Sequence, residues 1–137
     1  MGTEGEMQRR VYHVRAAERV GDKWQMLHEG GATVLLEREG DGDWLASVVV
    51  CSPLDRFCKR TGLRIAEVRM RSHRAGKHVN NVVETRETDT KHAVAKAIQE
   101  VVSHYEGSQY RRDVRQWVVD YVLTPLGHNQ RGVFAHA

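Results

Sequence analysis

Cysteine is scarce, with only Cys51 and Cys58 in 137 residues. Two thiols cannot build a disulfide framework, and both fall at apolar positions, so they are expected as reduced core thiols. No run approaches the ~18 apolar residues that a membrane-crossing helix needs. The opening MGTEGEMQRR carries acids and no apolar stretch, so no secretory signal is expected and the expected location is the cytoplasm. Eight histidines are spread without HxH, HExxH or a paired Cys/His spacing, which argues against a zinc site. There is neither a P-loop nor a GxGxxG turn, and no base is implied beside Cys58 to make it a nucleophile. Glu84, Glu87 and Asp89 cluster, but their spacing fits no metal loop and suits the start of a helix. No catalytic residue, metal or cofactor is therefore expected.

What the chain does have is basic charge in one place. Leu54 to Lys77 holds eight basic residues (Arg56, Lys59, Arg60, Arg64, Arg69, Arg71, Arg74, Lys77) against Asp55 and Glu67, a net of +6. The whole chain carries +3, so the remainder is at −3. A positive region on a nearly neutral background points to an anionic partner.

The patterning predicts an α+β fold, an antiparallel β-meander of three to five strands packed with about three helices. Residues 1–10 read as a flexible leader, 11–123 as one domain and 124–137 as a tail without an element. Weak alternation begins at Val11 and runs to a turn at Gly21-Asp22, and Lys23–His28 reads as a second strand ended by the break Gly30-Gly31. Ala32–Glu39 and Trp44–Cys51 flank a hairpin turn at Gly40-Asp41-Gly42-Asp43, and the second of them is expected at the centre of the sheet. His78–Glu84 could add a strand. Thr88 or Asp89 caps a helix whose stripe Ala93, Val94, Ala97, Ile98, Val101, Val102 and Tyr105 ends before Gly107. A last helix starts near Ser108, with Tyr110, Val114, Trp117, Val118, Tyr121 and Val122 on one face, and stops at Thr124-Pro125.

The basic region itself predicts a helix opened by Ser52, with Pro53 in its first turn and Asp55 closing a capping box. Leu54, Phe57, Cys58, Thr61, Ile65 and Val68 would form its core face. Arg56, Arg60, Arg64 and Arg71 then share an arc of roughly 80° beside that face. Arginine outnumbers lysine here, with Lys59 the exception, which suits bidentate recognition of phosphate or carboxylate, although a solvated basic face is the plainer reading. Leu63 and Met70 point away from the predicted core face and, with Ala66, suggest a contact between subunits. Arg111, Arg112 and Arg115 lie beside Tyr110 and Trp117, a combination that can hold a base and its phosphate. Asn80 is a candidate reader of a base edge. The candidate ligand-binding residues are thus Arg56, Lys59, Arg60, Arg64, Arg71, Arg111, Arg115 and Asn80.

Residues 51–69, CSPLDRFCKRTGLRIAEVR, resemble a segment C/S-x-P-x-D-x-F-x-K-x-x-G-R-x-I-A-x-x-R found in small phage proteins, at Ser52, Pro53, Asp55, Phe57, Lys59, Gly62, Ile65, Ala66 and Arg69. Leu63 stands between Gly62 and Arg64, where that segment has arginine directly after glycine. Similar segments occur in the anti-Thoeris family of phage proteins, which sequester cyclic ADP-ribose isomers, with related proteins holding cyclic oligonucleotides. The resemblance implies a phage counter-defence protein in the cytoplasm of a bacterial host. It would bind a cyclic nucleotide without cleaving it and act as a homo-oligomer, a dimer or a hexamer. Two alternatives use the same arginines: a small nucleic-acid-binding module, and a protein–protein inhibitor of a host defence complex of the anti-CRISPR type.

Overall fold

The computed structural model describes residues 5–127 and 134–136. Its elements run β1 (Met7–Val20), β2 (Lys23–Glu39), β3 (Leu45–Arg56), α1 (Lys59–Arg74), β4 (Val82–Glu84), α2 (Thr90–Ser103), α3 (Gln109–Val118), a π-helical turn (Val119–Leu123), α4 (Thr124–Gly127) and β5 (Phe134–His136). The sheet is antiparallel in the order β4-β3-β2-β1-β5. This is the expected α+β architecture around a β-meander.

The central strand is β2, not the strand that begins after Trp44. Ala32, Thr33, Val34, Leu35 and Leu36 are all buried because helices cover both faces of the sheet. Ala32, Val34 and Leu36 join Tyr12, Val14, Ala46 and Val48 in a core closed by α2 and α3. Leu35, on the opposite face, packs with Ala66 and Met70 of α1 and with Val11, Leu45 and Val49. The result is three layers, with α1 the one helix among the described residues on its side.

Gly30 and Gly31 do not end a strand. The pairing of β2 with β3 shifts between Glu29 and Gly31, so the glycines form a bulge within one long strand. The site requires glycine, because Gly30 has φ 78° and a Cβ there would lie 2.0 Å from the Trp117 ring.

The predicted start of α1 is also corrected. β3 continues through the Ser-Pro pair, and Arg56 pairs with Glu29. The helix is entered at Cys58, its N-cap. Ser52 Oγ instead accepts from the Leu54 N–H at 3.1 Å and shares a 2.9 Å hydrogen bond with the Tyr110 hydroxyl. A Ser-Pro pair caps well in isolation, but here sheet pairing takes the segment first.

That shift rotates the core face. Gly62, Ala66 and Met70 face the sheet, whereas Val68 is 49% and Leu54 79% exposed. Met70 is 2% exposed and Ala66 is buried, so both belong to this chain's own core and offer no surface to a second subunit, whereas Leu63 is half-buried. Small residues at Gly62 and Ala66 bring the helix backbone down onto the strands, and Ser47 Oγ donates to the Ala66 carbonyl at 2.8 Å.

At the other end, Thr124-Pro125 does not stop the chain's last helix. Pro125 lacks an N–H and its ring crowds the carbonyl four residues back, and the preceding turn widens to π geometry. Thr124 Oγ1 donates to the Val119 carbonyl at 2.7 Å within that turn. The helix then runs to Gly127, and Phe134–His136 pairs with Tyr12–Val14 as a fifth strand where no element was expected.

Candidate functional site

Taking about 100° per residue from the sheet-facing Ala66, Arg60, Arg64 and Arg71 fall within about 40° of one another on the solvent side of α1. All three are exposed. Among the described residues none forms an ion pair with them, whereas three other arginines on or against α1 are engaged. Arg9 pairs with Glu67, and Arg74 pairs with Glu37 at 2.8 Å. Arg69 Nη1 donates to the Val48 carbonyl at 2.8 Å.

The remaining predicted residues divide among other places. Arg56 is at the end of β3 and off the helix. Lys59 stands at the sheet-facing start of α1; burial holds the His13 imidazole pKa down, and the Lys59 charge adds to this. Asn80 is exposed in the connection before β4, and its neighbour Asn81 accepts from the Val48 N–H at 2.9 Å. Arg111 and Arg115 are on α3, across the sheet from the ridge.

One pair does bridge the two sides. β4 covers only Leu45–Ser47 of β3, and the edge beyond it lets Arg69 approach Tyr105 from the α1 side. Arg111 lies over the other approach, its guanidinium 4.9 Å from the Tyr105 ring centre. Burial pushes the Tyr105 phenol up, and the Arg69 and Arg111 charges pull it back. Burial likewise depresses the Arg69 pKa. Arg69 of α1 and Arg111 of α3 thus act on one tyrosine within one chain, although Arg69 was left out of the sequence-based candidates. The signal for it was present in the Gly62/Ala66/Met70 spacing, which places Arg69 about 60° from the sheet-facing line.

Beside this pair is a cleft of about 160 Å³ lined by Val50, Ser52, Tyr105, Tyr110, Arg111 and Val114. Larger hollows of about 330, 540 and 730 Å³ lie elsewhere, and neither the ridge arginines nor Arg69 line them.

Compared with family models, curated proteins and solved structures, the chain matches none. Its functional reading therefore stands on its own residues.

Cys58 is exposed at the N-cap and is not a core thiol. The Thr61 hydroxyl donates to its sulfur at 3.2 Å, and this bond and the Thr61 N–H lower the thiol pKa against an opposing desolvation effect, with the Arg60 N–H and charge adding to the lowering. Cys51 is half-buried and its pKa is raised, chiefly by burial. Among the described residues no three His, Cys, Asp or Glu side chains are grouped to hold a metal. Glu87 pairs with Lys96, and Asp89 caps α2 by accepting from the His92 N–H at 3.0 Å. No helix among the described residues is long and apolar enough to cross a membrane.

Proposed function

We propose that this protein binds the phosphate backbone of nucleic acid through the outward face of α1. The supporting observation is the row Arg60, Arg64 and Arg71, without an ion-pair partner among the described residues, beside Arg9, Arg69 and Arg74, which have partners. At 1.5 Å per residue the row extends about 16 Å along the helix, which suits successive phosphates of a polymer better than one compact anion. Guanidinium groups fit phosphate oxygens bidentately, and each neutralised phosphate releases counterions. Fluorescence anisotropy with a labelled oligonucleotide across a salt series tests this. Three phosphate contacts give a log–log slope of about −2 to −3. Absence of binding at low salt rejects the proposal.

Sequestration of a cyclic nucleotide, which the resemblance of residues 51–69 implies, is the second reading. Pockets that enclose a small ligand run from about 300 Å³ upward. The 160 Å³ cleft is below that, and among the described residues the ridge arginines line none of the four hollows given above. This reading therefore requires a second copy to close a pocket over α1. Sedimentation with and without cyclic ADP-ribose isomers or cyclic oligonucleotides separates the two. A sequestering oligomer returns its ligand unaltered on heat denaturation, and recovery of a cleaved product would point to an enzyme.

A further inference from the structure

We propose that the cleft at the uncovered edge of β3 is a nucleobase site, which deepens the reading of α1 by adding a preference for unpaired bases. The ligand chemistry is a planar heteroaromatic ring with an adjoining phosphate, supplied by a single strand or by a free nucleotide.

Four features carry this. The volume of about 160 Å³ admits one ring and excludes a whole drug-sized ligand. Val50 and Val114 provide apolar walls, and Ser52 and Tyr110 bring hydroxyl groups to the same cleft. Tyr110 is 53% exposed, although Val114 and Val118 on the same helix are 7% and 0% exposed, so its ring is not consumed by the core. Aromatic faces of this kind stack bases without regard to their identity.

The second feature is pre-organisation. The Tyr110 hydroxyl is held by Ser52 Oγ at 2.9 Å and Arg111 by the Tyr105 ring. Side chains fixed before binding lose little rotamer freedom on binding. Charge is the third: among the described residues Arg111, which lines the cleft, pairs with no carboxylate, so its charge remains for a phosphate beside the ring. Access is the fourth, since β4 ends before this part of the β3 edge.

The test compares a 12-residue oligo-dT, the same backbone without bases and a duplex of equal length, all binding the full chain by anisotropy. Oligo-dT should bind about tenfold tighter than the base-free backbone, the scale of one stacked base. Tyr110→Ala should remove that difference with the salt slope unchanged, and Tyr110→Phe should keep it. Circular dichroism verifies that both variants fold. Equal affinity for the two backbones, or a Tyr110→Ala variant that still distinguishes them, overturns the proposal. If no polymer binds, the reading of α1 fails and the cleft is judged separately with thymidine monophosphate. Shifts of the Val50 and Val114 methyl resonances that Tyr110→Ala abolishes then identify a free nucleotide as the source. Unmoved resonances overturn the site.

Discussion

Gly62 of α1 rests on Thr33 of β2, and a Cβ at position 62 would lie 2.3 Å from the Thr33 hydroxyl. This contact sets the height of α1 above the sheet, and with it the direction of every arginine on the helix. Gly62→Ala gains about 1 kcal/mol of helix propensity but forces a methyl into a buried contact costing about 1–3 kcal/mol. Thr33 cannot swing away freely, because its hydroxyl is 3.0 Å from His13 Nδ1. The expected net result is a loss of roughly 1 kcal/mol, read as a lower Tm. A raised Tm would show that the helix can lift without cost.

Arginines on the same helix should separate into two classes. Arg60→Ala, Arg64→Ala and Arg71→Ala should each change stability by less than about 0.5 kcal/mol, as solvated surface positions do. Each should flatten the salt dependence of nucleic-acid binding by about 0.7–0.9 in slope. Arg69→Ala should cost about 1.5–3 kcal/mol, because a charged donor to the Val48 carbonyl is lost at a half-buried edge. Urea denaturation of the four variants distinguishes the classes, and equal stability losses would contradict the assignment.

His13 makes stability depend on pH. It is 2% exposed, and burial, helped by the Lys59 charge, lowers its pKa below the ordinary 6.5. The unfolded chain therefore binds a proton here at a pH where the folded chain does not, so stability falls as pH drops below about 6.5. The loss levels off once pH is below the folded-state value. His13→Gln should abolish this component in denaturation curves recorded between pH 7.5 and pH 5. A wild-type curve that is flat across that range, or steeper in the variant, contradicts it.

The two thiols should differ in reactivity. Cys58 is exposed with a lowered pKa, and Cys51 is half-buried with a raised one. Iodoacetamide near pH 7.5 should label Cys58 first, because the thiolate is the reactive form. Peptide mass spectrometry reads the site, and Thr61→Ala should slow the labelling by removing the hydroxyl that donates to the sulfur. Faster labelling of Cys51 would rule this out.

Much of the fold is legible along the chain. The alternation of β1, the Gly21-Asp22 and Gly40–Asp43 turns and the stripe of α2 follow from local chemistry that acts within a few residues. Asp89 and Ser108 cap α2 and α3 because each side chain finds an N–H three residues ahead, at His92 and Arg111. The clustering of basic charge between Leu54 and Lys77 is equally a property of the sequence.

Only the tertiary structure decided where that charge points. Ser52-Pro53 offers a helix start, but pairing of β3 with β2 extends the strand to Arg56 and delays the helix to Lys59. Spacing alone could not choose between Ile65/Val68 and Gly62/Ala66/Met70 as the buried face, because the choice depends on how closely β2 lets a helix approach. That approach turns Arg60, Arg64 and Arg71 to solvent and sends Arg69 around the β3 edge toward Tyr105. The residues and their charges belong to the sequence; which arginines are free and which are used up in holding the fold is settled by long-range packing.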